Sequence, residues 1–148
     1  MEAIDLKLIT FFKKVSLPVA RFSLFIIFFW FGLLKVLGLS PASQLVQNLF
    51  ESTIPIMSFD LFIILFGIFE CLIGVLFVVK GVERVAIFLL FIHMVMTLGP
   101  LIFLTEETWQ SFLVPTLEGQ YIIKNLVIIA SAIGIASHLH PMKSTLDK

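Results

Sequence analysis

The chain has 148 residues, of which 59% are hydrophobic and only 14% charged, and its mean hydropathy is +1.11. This composition excludes a soluble domain of ordinary composition and predicts an integral membrane protein. Ten Lys and Arg balance ten Asp and Glu without forming a basic patch interleaved with aromatic residues, which excludes nucleic acid as a partner.

The first predicted span covers residues 16–37, an apolar run long enough to cross a hydrocarbon core of about 30 Å. The run is too long for a cleaved signal and lacks a small-residue cleavage site, so we predict a retained helix. The alternation of apolar and charged residues over positions 1–15 predicts an amphipathic helix on the membrane surface. The alternative is a simple basic flank before the first span. Five residues of the span form one helical stripe that should face the bundle: Arg21, Phe25, Phe28, Gly32 and Lys35.

The connection over residues 38–57 is rich in helix breakers and predicts a short re-entrant or surface helix. Ser40 is its expected N-cap, and Pro41 its first position. The second span, residues 58–79, carries an acid flanked on the same face by two small residues, which should let a neighbouring helix approach closely: Gly67, Glu70 and Gly74.

A tight polar turn over residues 80–84 predicts that the second and third spans are antiparallel neighbours. The third span, residues 85–104, presents His93 and Thr97 on one face, and Pro100 should kink it near its exit.

A polar loop with an interfacial Trp109 is predicted over residues 105–120. The fourth span, residues 121–138, follows this loop. It opens with Tyr121, Lys124 and Asn125, and Ser131 and Gly134 give it a small-residue face suited to close packing.

The distribution of basic residues predicts the orientation of these spans. Lys35 and Lys124 fall on one side, and eight basic residues fall on the other: Lys7, Lys13, Lys14, Arg21, Lys80, Arg84, Lys143 and Lys148. We therefore predict an all-α, integral membrane four-helix bundle, forming a single domain over residues 1–148. Both termini should be cytoplasmic, with the short extra helix in the first external loop.

Polar residues within the spans are the candidate functional groups, because charges at bilayer depth are costly and need a partner. Counting along the helices predicts two layers. Glu70 and His93 lie near the midplane as a carboxyl beside a titratable imidazole. Towards the outer face lie Lys35 and Lys124, with Asp60 available to neutralise one lysine and Asn125 and Tyr121 nearby.

Each candidate also has a purely structural interpretation. Glu70 can serve as an interhelical hydrogen-bonding group, and His93 can be a core residue whose polar atoms have hydrogen-bond partners. Lys35 and Lys124 can extend to the outer surface, while Arg21 is interpreted as an anchor at the inner surface.

Cysteine and histidine patterns give little support for metal or thiol chemistry. Cys71 is the only cysteine, so any redox chemistry needs a bound cofactor or a partner, and the residue is interpreted as packing. His138 and His140 lack a helix-spaced third ligand, so no metal site is predicted.

Three sequence segments resemble the DoxX-like superfamily of four-helix membrane proteins, and most closely its YkgB/DUF417 group. They are Trp30-Phe31-Gly32-Leu33-Leu34-Lys35 with Arg21 before it, Glu70 with Gly74, and Glu118-Gly119-Gln120-Tyr121-Ile122-Ile123-Lys124-Asn125-Leu126. That group includes the inner-membrane protein of a reactive-chlorine resistance system. The resemblance implies a bundle in the bacterial cytoplasmic (inner) membrane, linked to quinone-dependent oxidation or defence against oxidants. An acid often follows the fourth-span lysine in this group, whereas Asn125 stands here.

Two hypotheses of function follow, and the sequence leaves open whether the protein is an enzyme. In the first, the bundle binds a small apolar or anionic molecule such as a quinone. Glu70 and His93 exchange protons with it, and five residues are candidates for binding it: Lys35, Lys124, Asn125, Asp60 and Trp30. In the second, the protein is a structural or assembly subunit, bound to a partner membrane protein or to copies of itself among membrane lipid. Passage of a proton or solute through the bundle is a third, less favoured alternative.

Overall fold

The computed structural model describes residues 2–53 and 55–140, and helices form most of this part of the chain. In chain order the helices are α1 (Glu2–Val36), α2 (Ser43–Thr53), α3 (Phe59–Val78), α4 (Glu83–Leu98), α5 (Pro100–Phe103), α6 (Thr105–Thr108) and α7 (Leu117–Ala136). Two short strands, β1 (Trp109–Ser111) and β2 (Val114–Pro115), lie between α6 and α7. Lys143 and Lys148, which entered the prediction of orientation, lie outside the described residues.

Four helical stretches within the described ranges are long and apolar enough to cross a membrane, which confirms the number of predicted spans. They are Ile4–Val36, Phe59–Val78, Glu83–Phe103 and Leu117–Ala136. The third is interrupted at Gly99, where α4 gives way to α5, so the break expected at Pro100 is present. Proline lacks the N–H that would continue the helical hydrogen bonds.

Helix α1 is continuous across the boundary that the sequence predicted between residues 1–15 and residues 16–37. It has 35 residues, and at about 1.5 Å per residue it is about 52 Å long, which exceeds the thickness of a hydrocarbon core. Pro18 lies inside it, and no glycine or capping residue ends the helix near residue 15. Pro18 cannot donate a backbone hydrogen bond, and this is the one feature of the sequence that disturbs α1 near that boundary.

The fourth long helix begins one turn earlier than predicted, at Leu117 rather than Tyr121. Thr116 is the reason, because its Oγ1 accepts a hydrogen bond from the Gly119 N–H at 3.1 Å and so caps the helix. Lys124 and Asn125 consequently lie about two turns into the helix.

The segment predicted as a polar loop contains α6 and a two-stranded antiparallel hairpin, which is a small exception to the all-α prediction. Trp109 pairs with Pro115 and Ser111 pairs with Val114. Leu113 closes the turn with φ +59°. In the preceding connection α2 begins at Ser43, and Ser40 Oγ accepts the Ala42 N–H at 3.3 Å.

The most extensive helix contact is between α1 and α3. A methyl group built at Gly32 would lie 2.6 Å from the Gly67 carbonyl oxygen, and one built at Gly67 would lie 2.6 Å from the Gly32 carbonyl oxygen. Neither site has room for a side chain, so the close approach predicted around Glu70 is confirmed. The main core extends from this contact towards α4 and α7 and contains Leu24, Phe28, Ile73, Phe77, Ala86, Leu90, Met94, Ala132 and Ile135.

The small-residue face predicted for the fourth span does not pack inside the bundle. No atom of the described residues lies within 4 Å of a methyl group built at Gly134, while Ala132 is fully buried on another face of α7. The tertiary fold therefore uses Ala132 for close packing and leaves Gly134 open.

Candidate functional site

Three charged or titratable side chains meet at the centre of the bundle, and we call Lys35, Glu70 and His93 the polar triad. Glu70 Oε2 accepts a hydrogen bond from Lys35 Nζ at 2.6 Å, and Glu70 Oε1 lies 2.8 Å from His93 Nε2. Each of the three residues is 6% exposed or less. Glu70 thus joins α1 and α4 to α3, and the partner that the sequence required for this acid is identified.

Lys35 reaches Glu70 because of the way α1 and α3 run past each other. Gly67 lies beside Gly32 and Lys35, whereas Gly74 lies beside Phe29, so the two helices are antiparallel. Helical side chains lean towards the N-terminus of their own helix, and here that direction leads from Gly67 towards Glu70. Gly67 leaves room for the Lys35 stem, since a methyl group built there would lie 2.9 Å from Lys35 Cβ.

The predicted two-layer arrangement is therefore wrong for Lys35. Its ammonium group is buried at the level of Glu70 and does not extend to the outer surface. The predicted level of Lys35 was the level of its Cα atom on α1. A lysine side chain is long enough to carry its charge about one helical turn away from that atom.

Phenylalanine side chains surround the imidazole of His93, and we call Phe28, Phe66 and Phe69 the aromatic shell. The Phe66 ring stacks on the imidazole at 5.1 Å and 10°, while the Phe28 ring meets it edge-on at 5.2 Å and 79°. Phe69 lies at 6.1 Å, and Lys35 Nζ stands 5.5 Å from the centroid of the Phe66 ring. These apolar neighbours exclude water from the triad and strengthen the electrostatic interactions within it.

One ring nitrogen of His93 is left without a partner. Nε2 faces Glu70, and Nδ1 is buried with no hydrogen bond among the described residues. A carboxylate only accepts hydrogen bonds, so Nε2 carries the hydrogen that it shares with Glu70. Nδ1 of the neutral ring is then an acceptor, and after protonation it becomes a donor. A buried polar atom without a partner is unusual, which makes Nδ1 the candidate contact for a bound molecule.

The other predicted binding residues do not join the triad. Asp60 is exposed at the start of α3 and forms no ion pair within residues 2–53 and 55–140, so its predicted pairing with a lysine is wrong. Lys124 is exposed, with Nζ 5.0 Å from the centroid of the Tyr121 ring. Trp30 is 64% exposed, and Asn125 is half-buried.

A second polar cluster lies at the C-terminal end of α3 and is centred on Arg21. Its Nη1 donates to Glu83 Oε1 at 2.5 Å, its Nε to the Phe77 carbonyl at 2.7 Å, and its Nη2 to the Val79 carbonyl at 2.9 Å. Carbonyls at the end of a helix lack intrahelical donors, so Arg21 caps α3 and also binds the acid that begins α4. The interpretation of Arg21 as a surface anchor missed this role.

We expect Arg21→Gln to lower the free energy of unfolding by about 2 kcal/mol, because it breaks the ion pair with Glu83 and removes the donors to the Phe77 and Val79 carbonyls. Arg21→Lys should recover only part of this loss, since an ammonium group lacks the planar fork of donors. Thermal unfolding of both variants in detergent measures the effect. A Lys variant as stable as wild type would show that charge alone matters at this position.

Partial signals for the residues that the predictions missed are present in the sequence. Phe66 precedes Glu70 by one helical turn, and Glu83 lies in the predicted tight turn.

Cys71 Sγ lies 3.5 Å from the Phe29 carbonyl oxygen, in a packing environment. His138 Nδ1 lies 2.8 Å from the Gly134 carbonyl oxygen. In the part of the chain that the structure describes, no three His, Cys, Asp or Glu residues are grouped to hold a metal ion.

Comparison of the chain with protein-family models, characterised proteins and solved structures finds no match. The resemblance to DoxX-like proteins therefore stays a prediction.

Proposed function

We propose that this chain is a multi-pass protein of the bacterial cytoplasmic membrane, of the DoxX-like kind. It binds a small apolar molecule with oxygen substituents, of the quinone class, and exchanges a proton with it at the polar triad. The observation that carries the proposal is the buried, unpaired Nδ1 of His93 in a triad whose other atoms are partnered.

The proton chemistry follows from the two states of the imidazole. Neutral His93 offers Nδ1 as an acceptor, which suits the hydroxyl of a quinol; the imidazolium offers Nδ1–H as a donor, which suits the carbonyl of a quinone. Glu70 stabilises the imidazolium through Nε2, and Lys35 neutralises Glu70 while the imidazole is uncharged.

Membrane placement is supported by the four long apolar helices and by the concentration of basic residues at the Arg21 end of the bundle. A lipid-soluble substrate can approach such a bundle from the bilayer, and the aromatic shell offers apolar rings beside the reacting nitrogen. Cytoplasmic placement of the Arg21 end is part of the same proposal.

The test is equilibrium binding of a short-chain quinone and of its quinol to the purified protein, with His93→Gln as the test variant. Losing the proposed hydrogen bond from a buried ring nitrogen should weaken binding of the quinol about tenfold. Proton exchange on binding is measured by calorimetry in buffers of different ionisation enthalpy and should disappear in this variant. Lys124→Gln is the matched control, because it changes an exposed residue that lies outside the triad.

Two results would contradict the proposal. One is the absence of binding of either redox form to folded wild-type protein. The other is His93→Gln protein that binds the quinol with unchanged affinity and unchanged proton exchange, since Nδ1 then contributes nothing.

A structural or assembly role is the second candidate. It is favoured by the burial of the triad, which fastens three helices together, and by the two cavities at the Arg21 end, neither of which is lined by a triad residue. This role predicts a stoichiometric partner or a second copy in native mass spectrometry of gently extracted protein. A monomer that retains quinone would exclude it.

A further inference from the structure

A cavity of about 550 Å³ lies beside α1 near the C-terminal end of α3. Four apolar residues and two cations line it: Leu17, Pro18, Arg21, Phe22, Val78 and Lys80. We call it the α1–α3 cavity. Val78 follows Glu70 by eight positions, which is about 12 Å along α3. No triad residue lines the cavity, and among the described residues its lining includes no acidic side chain.

The positive charge of this cavity is only partly compensated. Arg21 is bound to Glu83 and to two carbonyls, whereas Lys80 is exposed and forms no ion pair or hydrogen bond among residues 2–53 and 55–140. Lys14 precedes Pro18 by four residues and Arg21 by seven, so it lies on the same face of α1. Lys80 in the lining and Lys14, one helical turn before Pro18 on α1, therefore leave an excess of positive charge beside an apolar cavity.

The apolar part of the lining determines what kind of anion fits. Phe22 is 56% exposed and Val78 is 43% exposed, and both belong to helices long and apolar enough to cross a membrane. A free phosphate ion would use the cations and leave this apolar wall uncovered. An acyl chain would cover it, because burial of apolar surface is favourable in proportion to its area.

We infer that the α1–α3 cavity binds an anionic phospholipid. Its phosphate group contacts Lys80 and Lys14, and an acyl chain lies along Phe22 and Val78. Basic pockets between membrane helices bind such headgroups through the same combination of charge and apolar surface. The inference rests on the proposed membrane placement and is independent of proton exchange at the triad.

The experiment is native mass spectrometry of the full chain from detergent, with phosphatidylglycerol and phosphatidylcholine of identical acyl chains as competing probes. Wild type should retain phosphatidylglycerol preferentially. Lys80→Gln and Lys14→Gln should each lower that preference about fivefold, which is the effect expected of one basic residue near a membrane surface. Lys124→Gln is the matched control and should leave it unchanged, because Lys124 lies near the opposite end of the bundle.

Three outcomes would overturn the inference. They are equal retention of the two lipids by wild type, a Lys80→Gln variant indistinguishable from the control, and displacement of phosphatidylglycerol by millimolar inorganic phosphate. The last would identify a free-anion site instead. Lys80 forms none of the contacts that hold the fold, so its variant should unfold at the wild-type temperature. His93→Gln should keep the lipid preference, which separates failure of this inference from failure of the proposed quinone site.

Discussion

Glu70→Gln is expected to lower the free energy of unfolding by about 3 kcal/mol, the largest effect of any conservative change in this chain. The substitution keeps the shape of the side chain and removes its charge, which leaves the Lys35 ammonium group buried without a counter-ion. Breaking one partner of a buried pair is strongly destabilising for this reason. Thermal unfolding in a mild detergent, followed by circular dichroism, provides the measurement.

The double variant Lys35→Met/Glu70→Gln is the informative control. It removes both charges, so most of the stability lost in Glu70→Gln should return, and the double-mutant cycle should give a coupling of about 2 kcal/mol. Lys35→Met alone should be milder than Glu70→Gln, because the Glu70 carboxylate keeps its 2.8 Å contact with His93 Nε2. If the two single effects simply add, the ion pair is not formed in the folded protein and the triad must be rejected.

Gly67→Ala is expected to destabilise the bundle by about 2 kcal/mol, although alanine is the better helix former. The added methyl group would lie 2.6 Å from the Gly32 carbonyl oxygen and 2.9 Å from Lys35 Cβ. A backbone carbonyl cannot rotate away, so α1 and α3 must separate, and overpacking of this kind typically costs about 1–3 kcal/mol. The separation also draws Lys35 away from Glu70, so the quinol affinity that we propose for the triad should fall together with the unfolding temperature.

Gly134→Ala makes the same chemical change where there is open space. Within residues 2–53 and 55–140, nothing lies within 4 Å of a methyl group built at Gly134, in the interior of α7. Helix propensity should therefore act alone and raise stability by up to about 1 kcal/mol. Equal effects of the two alanine substitutions would mean that the tight α1–α3 contact is absent. A marked loss of stability at Gly134 would instead indicate that a second chain covers this face.

The two polar clusters lie at different levels of the bundle, and substitutions in the two clusters should have different effects. Arg21 and Glu83 hold the α3–α4 turn against α1, and the triad holds α1, α3 and α4 together nearer the other end. Buried Phe77 and Leu90 belong to the core that also contains α7. Changes at Arg21 should therefore act on stability and lipid binding, whereas changes at His93 should act on proton exchange.

The amino-acid sequence by itself determined the number of long apolar helices and the inward face of α1, because both depend on local properties. Hydropathy over about twenty residues predicts a span, and the helical period of 3.6 residues places Phe28, Gly32 and Lys35 on one face. The cost of an unpaired charge in an apolar environment also predicted that Glu70 needs a partner. None of these inferences requires knowledge of which helices are neighbours.

The tertiary structure alone decided which partner Glu70 has. Lys35 is separated from it by 35 residues, and the pairing depends on the antiparallel contact of α1 with α3, on the backward lean of the lysine side chain and on the space at Gly67. The same holds for Arg21 and Glu83, which are 62 residues apart. Sequence periodicity fixes the direction of a side chain around its own helix. It does not fix the relative height or rotation of two helices, and those two quantities place the polar triad.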